Sequence, residues 1–173
     1  HVKPDFQIRA SGDIFVGQSV TGAHLSAGGS VRVAHGILGG ATVCASNDIE
    51  AKFVESSRLI ANGDVVVKSE LVHSCVRSGG RVLIAGGSIL GGCIYALRGI
   101  EAGTIGSAME FPANVTVGIA PDDVDAFEES LKEEEKITQR ILELEGTAGN
   151  ALRSPAALKA LPPAARAYVA EIL

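Results

Sequence analysis

The stretch "LIANGDVVVKSELVHS" (59–74) sets an apolar residue, a Gly-Asp pair, a period-2 apolar run and a further apolar residue in a row. "IRASGDIFVGQSVTGA" (8–23) follows the same plan, and "LSAGGSVRVAHGILGG" (25–40) is a third version between them. Self-similarity at a fixed period marks a repeat architecture, so it is settled before local propensities. Apolar residues fall six apart at Ile8, Ile14 and Val20, then, after a five-residue step, at Leu25, Val31, Ile37, Val43 and Ile49. A slip near Phe53 leads to Leu59, Val65 and Leu71, then Val76 and Val82, and on to Ile89, Ile94 and Ile100. Three such steps make a coil of 16 to 18 residues. That arithmetic predicts a three-sided parallel β-helix in which each side contributes an inward residue and coils stack about 4.8 Å apart. About six coils would measure ~29 Å.

A second column runs through the repeat. The residue two before Ile14, Val31, Val65 and Val82 is Gly12, Gly29, Gly63 and Gly80, and before Ile49 it is Asn47. A coil corner with positive φ accounts for this column, because Gly enters that region freely and Asn is the next most tolerant. Asn47→Gly is then expected to be neutral or mildly stabilising, and Asn47→Val to cost about 1–3 kcal/mol. The first strand of several coils carries another apolar residue two further on, at Val16, Val33, Val67 and Ile84. One long side with paired inward residues predicts a right-handed β-helix rather than the strict six-residue left-handed helix of acyltransferases.

Composition agrees with a narrow, regular core. Apolar residues make up 46%, aromatics only 4%, Trp is absent and there are 21 glycines, so small aliphatic side chains must do the filling. No run of about 18 apolar residues occurs, which predicts no membrane span, and no secretory signal pattern opens the chain. With His at position 1 and an end at "AYVAEIL" in mid-pattern, the chain reads as a segment of a longer protein, His1 being a tag remnant. Residues 1–120 balance nine Lys/Arg against nine Asp/Glu, whereas 121–173 hold six against eleven and so carry the whole net charge of −5. A composition break near Pro121 therefore separates a β-helix (1–120) from a helical region (121–173). No basic patch stands out in the sequence, which argues against nucleic acid as a partner.

The six-residue step fades at "TIGSAMEFPANVTVG" (104–118), with Phe111 as the predicted lid on the last coil. Beyond it, Asp122 is the predicted N-cap, with Asp125 as a weak capping box and acidic residues in the first turns that suit the helix dipole. Val124, Phe127 and Leu131 mark one face, resumed after Glu134 by Ile137, Ile141 and Leu144. The helix is expected to end near Glu145, roughly 36 Å long, where "GTAGN" begins. Ser154-Pro155 and "LPPAARAYVAEIL" are expected to start returning helices, giving an antiparallel helical hairpin.

The pieces "ANGDVVV", "LVHSCVRSGGRV", "ILGG", "IGS" and "VTVG", in this order within 53–118, resemble the β-solenoid domain of bacterial flagellar assembly protein A. The coils before them fit as well, and the expected hairpin is similar to that family's coiled-coil tail. The resemblance implies a cytoplasmic bacterial protein with a right-handed β-helix, linked to flagellar assembly and cell-pole organisation, with no catalysis implied. "GGSVRVAHGILGGA" is also similar to the C-terminal domain of the division inhibitor MinC and to bactofilins, which are interaction and polymer scaffolds.

Candidate sites weigh little against ordinary structural duty. His24, Cys75 and Cys93 each precede an inward residue and share a column with Thr42 and Arg58, but His24 lies three coils from Cys75, about 14 Å on the coil spacing. That is too far for one Zn ion, which wants about four converging ligands. Three cysteines, with Cys44 apart from the other two, predict reduced thiols. Neither dinucleotide nor P-loop glycine spacing occurs. "DDVDAFEE" (122–129) lacks the EF-hand spacing and its Gly. Asn114-Val115-Thr116 is a formal sequon without meaning in a bacterial cytosol, and His35 and His73 stand singly near corners. No cofactor and no metal site are expected.

Two classes of function follow. One is a non-catalytic scaffold whose β-helix presents a helical hairpin to protein partners, itself included. Its variant is a polymerising, bactofilin-like or MinC-like β-helix. The other is a six-residue-repeat acyltransferase, disfavoured by the paired inward residues at Val31/Val33 and Val65/Val67 and by the helical tail.

Overall fold

The computed structural model describes residues 1–106 and 112–152, with side chains described to Glu143. The expected lid Phe111 and the expected return of the hairpin beyond residue 152 lie outside the described residues. The repeat folds into a parallel β-solenoid of about six turns. Its first strands are β1 (Gln7–Ala10), β2 (Ile14–Val16), β3 (Val20–Thr21) and β4 (His24–Ala27). Then come β5 (Val31–Leu38), β6 (Thr42–Ala45), β7 (Ile49–Glu55) and β8 (Arg58–Ala61). β9 (Val65–Ser78) and β10 (Arg81–Ala96) bend around a whole coil, and β11 (Gly99–Ile105) and β12 (Ala113–Val117) complete the stack.

Three faces result. Face A stacks 14–16, 31–33, 49–51, 65–67, 82–84 and 100–102. Face B stacks Val20, Ile37, Val54, Leu71, Ile89 and Ile105 with their neighbours. Face C stacks β1, β4, β6, β8, the ends of β9 and β10, and β12. All pairings in the stack are parallel and in register, with irregularities between faces A and B, at Val33/Gly36, Ala51/Phe53 and Leu83/Ser88. From Leu25 to Val43 to Leu59 to Val76 to Ile94 the register advances by 16 to 18 residues per coil. The last step, from Ile94 to Val115, is longer, so β12 adds a rung on face C after the six-residue count has faded.

The inward residues of the repeat form one continuous core. Val20, Val31, Ile37, Val43, Ile49, Leu59, Val65, Leu71, Val76, Val82, Ile89 and Ile94 are all fully buried. The slip near Phe53 resolves because Val54, not Phe53, takes the inward place. Phe53 lies outside, half-buried, where its ring covers the surface that a side chain on Gly36 would need. The second inward residues Val16, Val33, Val67 and Ile84 are buried on face A. Face C has a matching inner column of small residues, Ala27, Ala45, Ala61, Ser78 and Ala96, also buried. Ser78 is the polar member, and its Oγ donates to Gly63 O at 2.8 Å while accepting from Gly80 N–H at 3.1 Å. A buried hydroxyl so satisfied costs little.

The tail departs from expectation at both ends. Asp122 is not an N-cap: it sits within a 3₁₀ turn, Pro121–Asp123, whose N-cap is Ala120, with no side-chain cap hydrogen bond. Pro121 explains this, since its fixed φ and missing donor suit the first position of a helical turn. The α-helix α1 then runs Val124–Leu152, through the "GTAGN" where an end near Glu145 was expected. Gly146 and Gly149 each weaken a helix by only about 1 kcal/mol relative to Ala, and the intervening and following Ala and Leu residues carry it on. Backbone contacts divide the chain into one unit at His1–Val124 and a second beginning at Asp125. No helix of the described residues is long and apolar enough to cross a membrane.

Candidate functional site

The five predicted corner residues stack directly above one another. Gly29 N–H donates to Gly12 O, Asn47 N–H to Gly29 O, Gly63 N–H to Asn47 O and Gly80 N–H to Gly63 O, at 3.0–3.1 Å. Their backbone is not what was expected. None of Gly12, Gly29, Asn47, Gly63 and Gly80 is among the positive-φ residues, so the conformational reading of this column is corrected.

Space, not backbone freedom, excludes side chains here. Asp13 Oδ1 accepts the N–H of Ser30 at 2.7 Å, Asp48 Oδ1 that of Asp64 at 2.7 Å, and Asp64 Oδ1 that of Arg81 at 2.7 Å. Each carboxylate thus reaches up one coil and occupies the place where a Cβ would stand on Gly29, Gly63 or Gly80. Asn47 breaks the glycine pattern because the residue reaching up beneath it is Ser30, whose shorter side chain accepts from Asp48 N–H at 3.4 Å. Gly12 begins the column and a Cβ there would meet nothing within 4 Å. The recurrent Gly-Asp pair is therefore one device, an aspartate clamp on the next coil and the glycine that makes room for the clamp below.

The left-handed corner lies elsewhere, at the end of face B. Asp5, Gly22, Gly39, Ser56, His73 and Gly91 follow one another from coil to coil. Asp5, Ser56 and His73 have φ of 66°, 47° and 44°, and Gly22 and Gly39 have 56° and 63°. The next residues include Ser57 and Ser74, both buried, whose hydroxyls donate to Glu55 O and Val72 O at 2.8 and 2.7 Å and tighten the turn. Three glycines interspersed with Asp, Ser and His hid this column from a search for glycine alone.

Outward on face C runs the column His24, Thr42, Arg58, Cys75, Cys93. Cys75 and Cys93 are opposite each other on adjacent rungs, and His24 is three rungs from Cys75, as their spacing implies. Cys44, Cys75 and Cys93 form no disulfide, and no group of three or more His, Cys, Asp or Glu side chains among the described residues converges as a metal site would require. Burial pushes the Cys44 thiol above its ordinary range, partly offset by the guanidinium of Arg58. A shallow groove of about 250 Å³ lies at the first rungs, between Arg9, His24, Ser26 and Thr42. Along α1, Asp125, Glu128, Glu129 and Glu133 of the acidic stretch are interspersed with Lys132 and Lys136.

No curated protein and no solved structure matches the chain. A family model described as the Flagellar Assembly Protein A beta solenoid domain matches residues 1–173. Its match spans the clamped corners, the aliphatic core and the helical tail alike, and the chain belongs to the flagellar assembly protein A β-solenoid family.

Proposed function

We propose that this chain is a non-catalytic scaffold of flagellar assembly, a stiff β-solenoid with a helical tail that holds protein partners in the bacterial cytoplasm, at or near the cell pole. The observation that carries this reading is the filled core. Fully buried Val, Ile and Leu side chains run from Val20 to Ile94 without a break in the stack, whereas a substrate site needs a concave, partly polar cavity. The family supplies the link to flagellar assembly. Stacked rungs with hydrogen-bonded corners resist bending, which suits a part that sets positions for others. The cytoplasmic and polar placement rests on the family resemblance.

Restoring motility in a strain that lacks its own family member tests the reading. The protein with residues 1–173 should restore swarming, and a version lacking 121–173 should be folded by circular dichroism yet fail to restore it. Full motility with the truncated version would place the working surface on the solenoid faces and refute the role given to the tail.

A further inference from the structure

The solenoid faces differ in charge. Face C points Arg9, His24 and Arg58 outward to solvent, with half-buried Arg77 beyond them, and bears no Asp or Glu at its outward positions among the described residues. Face A offsets its charges in ion pairs of Glu50 with Lys68 at 2.8 Å and Arg32 at 3.9 Å, and face B carries Glu55 and Glu70. Between the cations of face C lie half-buried Cys44 and Ile60, so the strip is both basic and apolar. Tyr95, further along the same face, is buried and marks where the open strip stops.

α1 has the complementary pattern. At 100° per residue, Phe127, Leu131, Ile141 and Leu142 share one side with Glu134 and Glu135. Lys132, Lys136 and Arg140 lie around the other side, where they are interspersed with Glu129, Glu133 and Glu143 and Arg140 pairs with Glu143 at 3.0 Å, so the apolar side is the one whose acids have no cation among them. Leu131, Ile141 and Leu142 are 42%, 49% and 63% exposed, an apolar stripe in want of cover. Dimensions agree too. Arg9 to Arg58 spans three rung spacings, about 14 Å, and Leu131 to Leu142 spans about 17 Å of helix.

We propose that face C is the docking surface for α1 of a second copy of this chain. One helix on one such strip would make a small contact, but two copies can exchange helices reciprocally, which doubles the buried area and closes the assembly with two-fold symmetry. The acidic, apolar side of each helix lies on the basic, apolar strip of the other copy. This inference goes beyond the scaffold reading, because it names what one face binds whichever protein the scaffold holds.

Sedimentation equilibrium of the full chain tests it, with exposed residues reversed in charge. Dimerisation should weaken with added salt, since interactions between partly exposed charges are screened. Arg9→Glu/Arg58→Glu should weaken it at least about tenfold, and Glu134→Lys/Glu135→Lys by a similar factor, because like charges then face each other. Circular dichroism identical to that of the unaltered protein establishes that both variants are folded. An equimolar mixture of the two variants should dimerise again, since reversed face then meets reversed helix and native face meets native helix. A monomer at every concentration overturns the proposal, as does a dimer indifferent to both reversals or a mixture that does not recover. So does a monomer whose face C amides exchange faster after Glu134→Lys/Glu135→Lys, which would show the chain's own helix occupying the strip.

Discussion

At the scale of single residues, a glycine in a repeat has two physical meanings, and the column Gly12, Gly29, Asn47, Gly63, Gly80 shows how to separate them. If φ were positive, Asn47 would be the tolerated substitute; since it is not, Asn47 stands there because Ser30 rather than an aspartate reaches up beneath it. The expectations for Asn47→Gly and Asn47→Val argued from strain therefore lapse. A different set replaces them. Gly63→Ala should cost about 1–3 kcal/mol, since its Cβ must displace the Asp48 carboxylate from its hydrogen bond. Gly12→Ala, with open space around it, should be within about 0.5 kcal/mol of neutral. Adding Asp48→Ser to Gly63→Ala reproduces the Ser30/Asn47 relation and should recover part of the loss, a coupling that urea melts of the four proteins would resolve. Equal costs at Gly63 and Gly12 would refute the steric account.

At the scale of elements, the corner that does need left-handed backbone is the turn after face B. Ser56 and His73 hold φ of 47° and 44° there, in line with Gly22 and Gly39 on other coils. Ser56→Gly should be neutral or stabilising by up to about 1 kcal/mol, and Ser56→Val should cost about 1–3 kcal/mol, because a β-branched side chain is strained at positive φ. Thermal melts of the two variants separate the cases, and equal stability would mean the corner relaxes to an ordinary turn. The helix teaches a related lesson. "GTAGN" looks like a stop, and in isolation two glycines close together often are one. Their cost is a few kcal/mol at most, which a helix already running for more than five turns can bear.

At the scale of the molecule, a solenoid is held together by nearest neighbours, so stability should vary along its axis. Rungs with a neighbour on both sides bury their inward residues completely, as at Val65, Leu71, Val76 and Val82, whereas Ile8 and Ile100 near the two ends stay partly exposed. Amide hydrogen exchange should therefore be slowest for residues 58–84 and faster toward β1 and β11, with each coil's protection following its distance from an end. Uniform protection along the stack would instead mean that it opens in one cooperative step.

The sequence by itself determined the coil, because the chemistry of a narrow core is periodic. An apolar residue must return to each side on every turn, and Ile8, Leu25, Val43, Leu59, Val76 and Ile94 record that demand directly. The paired inward residues of face A were legible for the same reason, as was the column that places Cys75 against Cys93. Tertiary structure alone decided what the corners are made of. The Asp48 carboxylate and the missing side chain of Gly63 are 15 residues apart in sequence and meet only when one coil lies on the next. The same holds for the three arginines that share face C. They are spread from Arg9 to Arg77 among acids of the other faces, and only the three-sided winding sorts them onto one surface. Composition sums charge along the chain, whereas a partner meets it face by face.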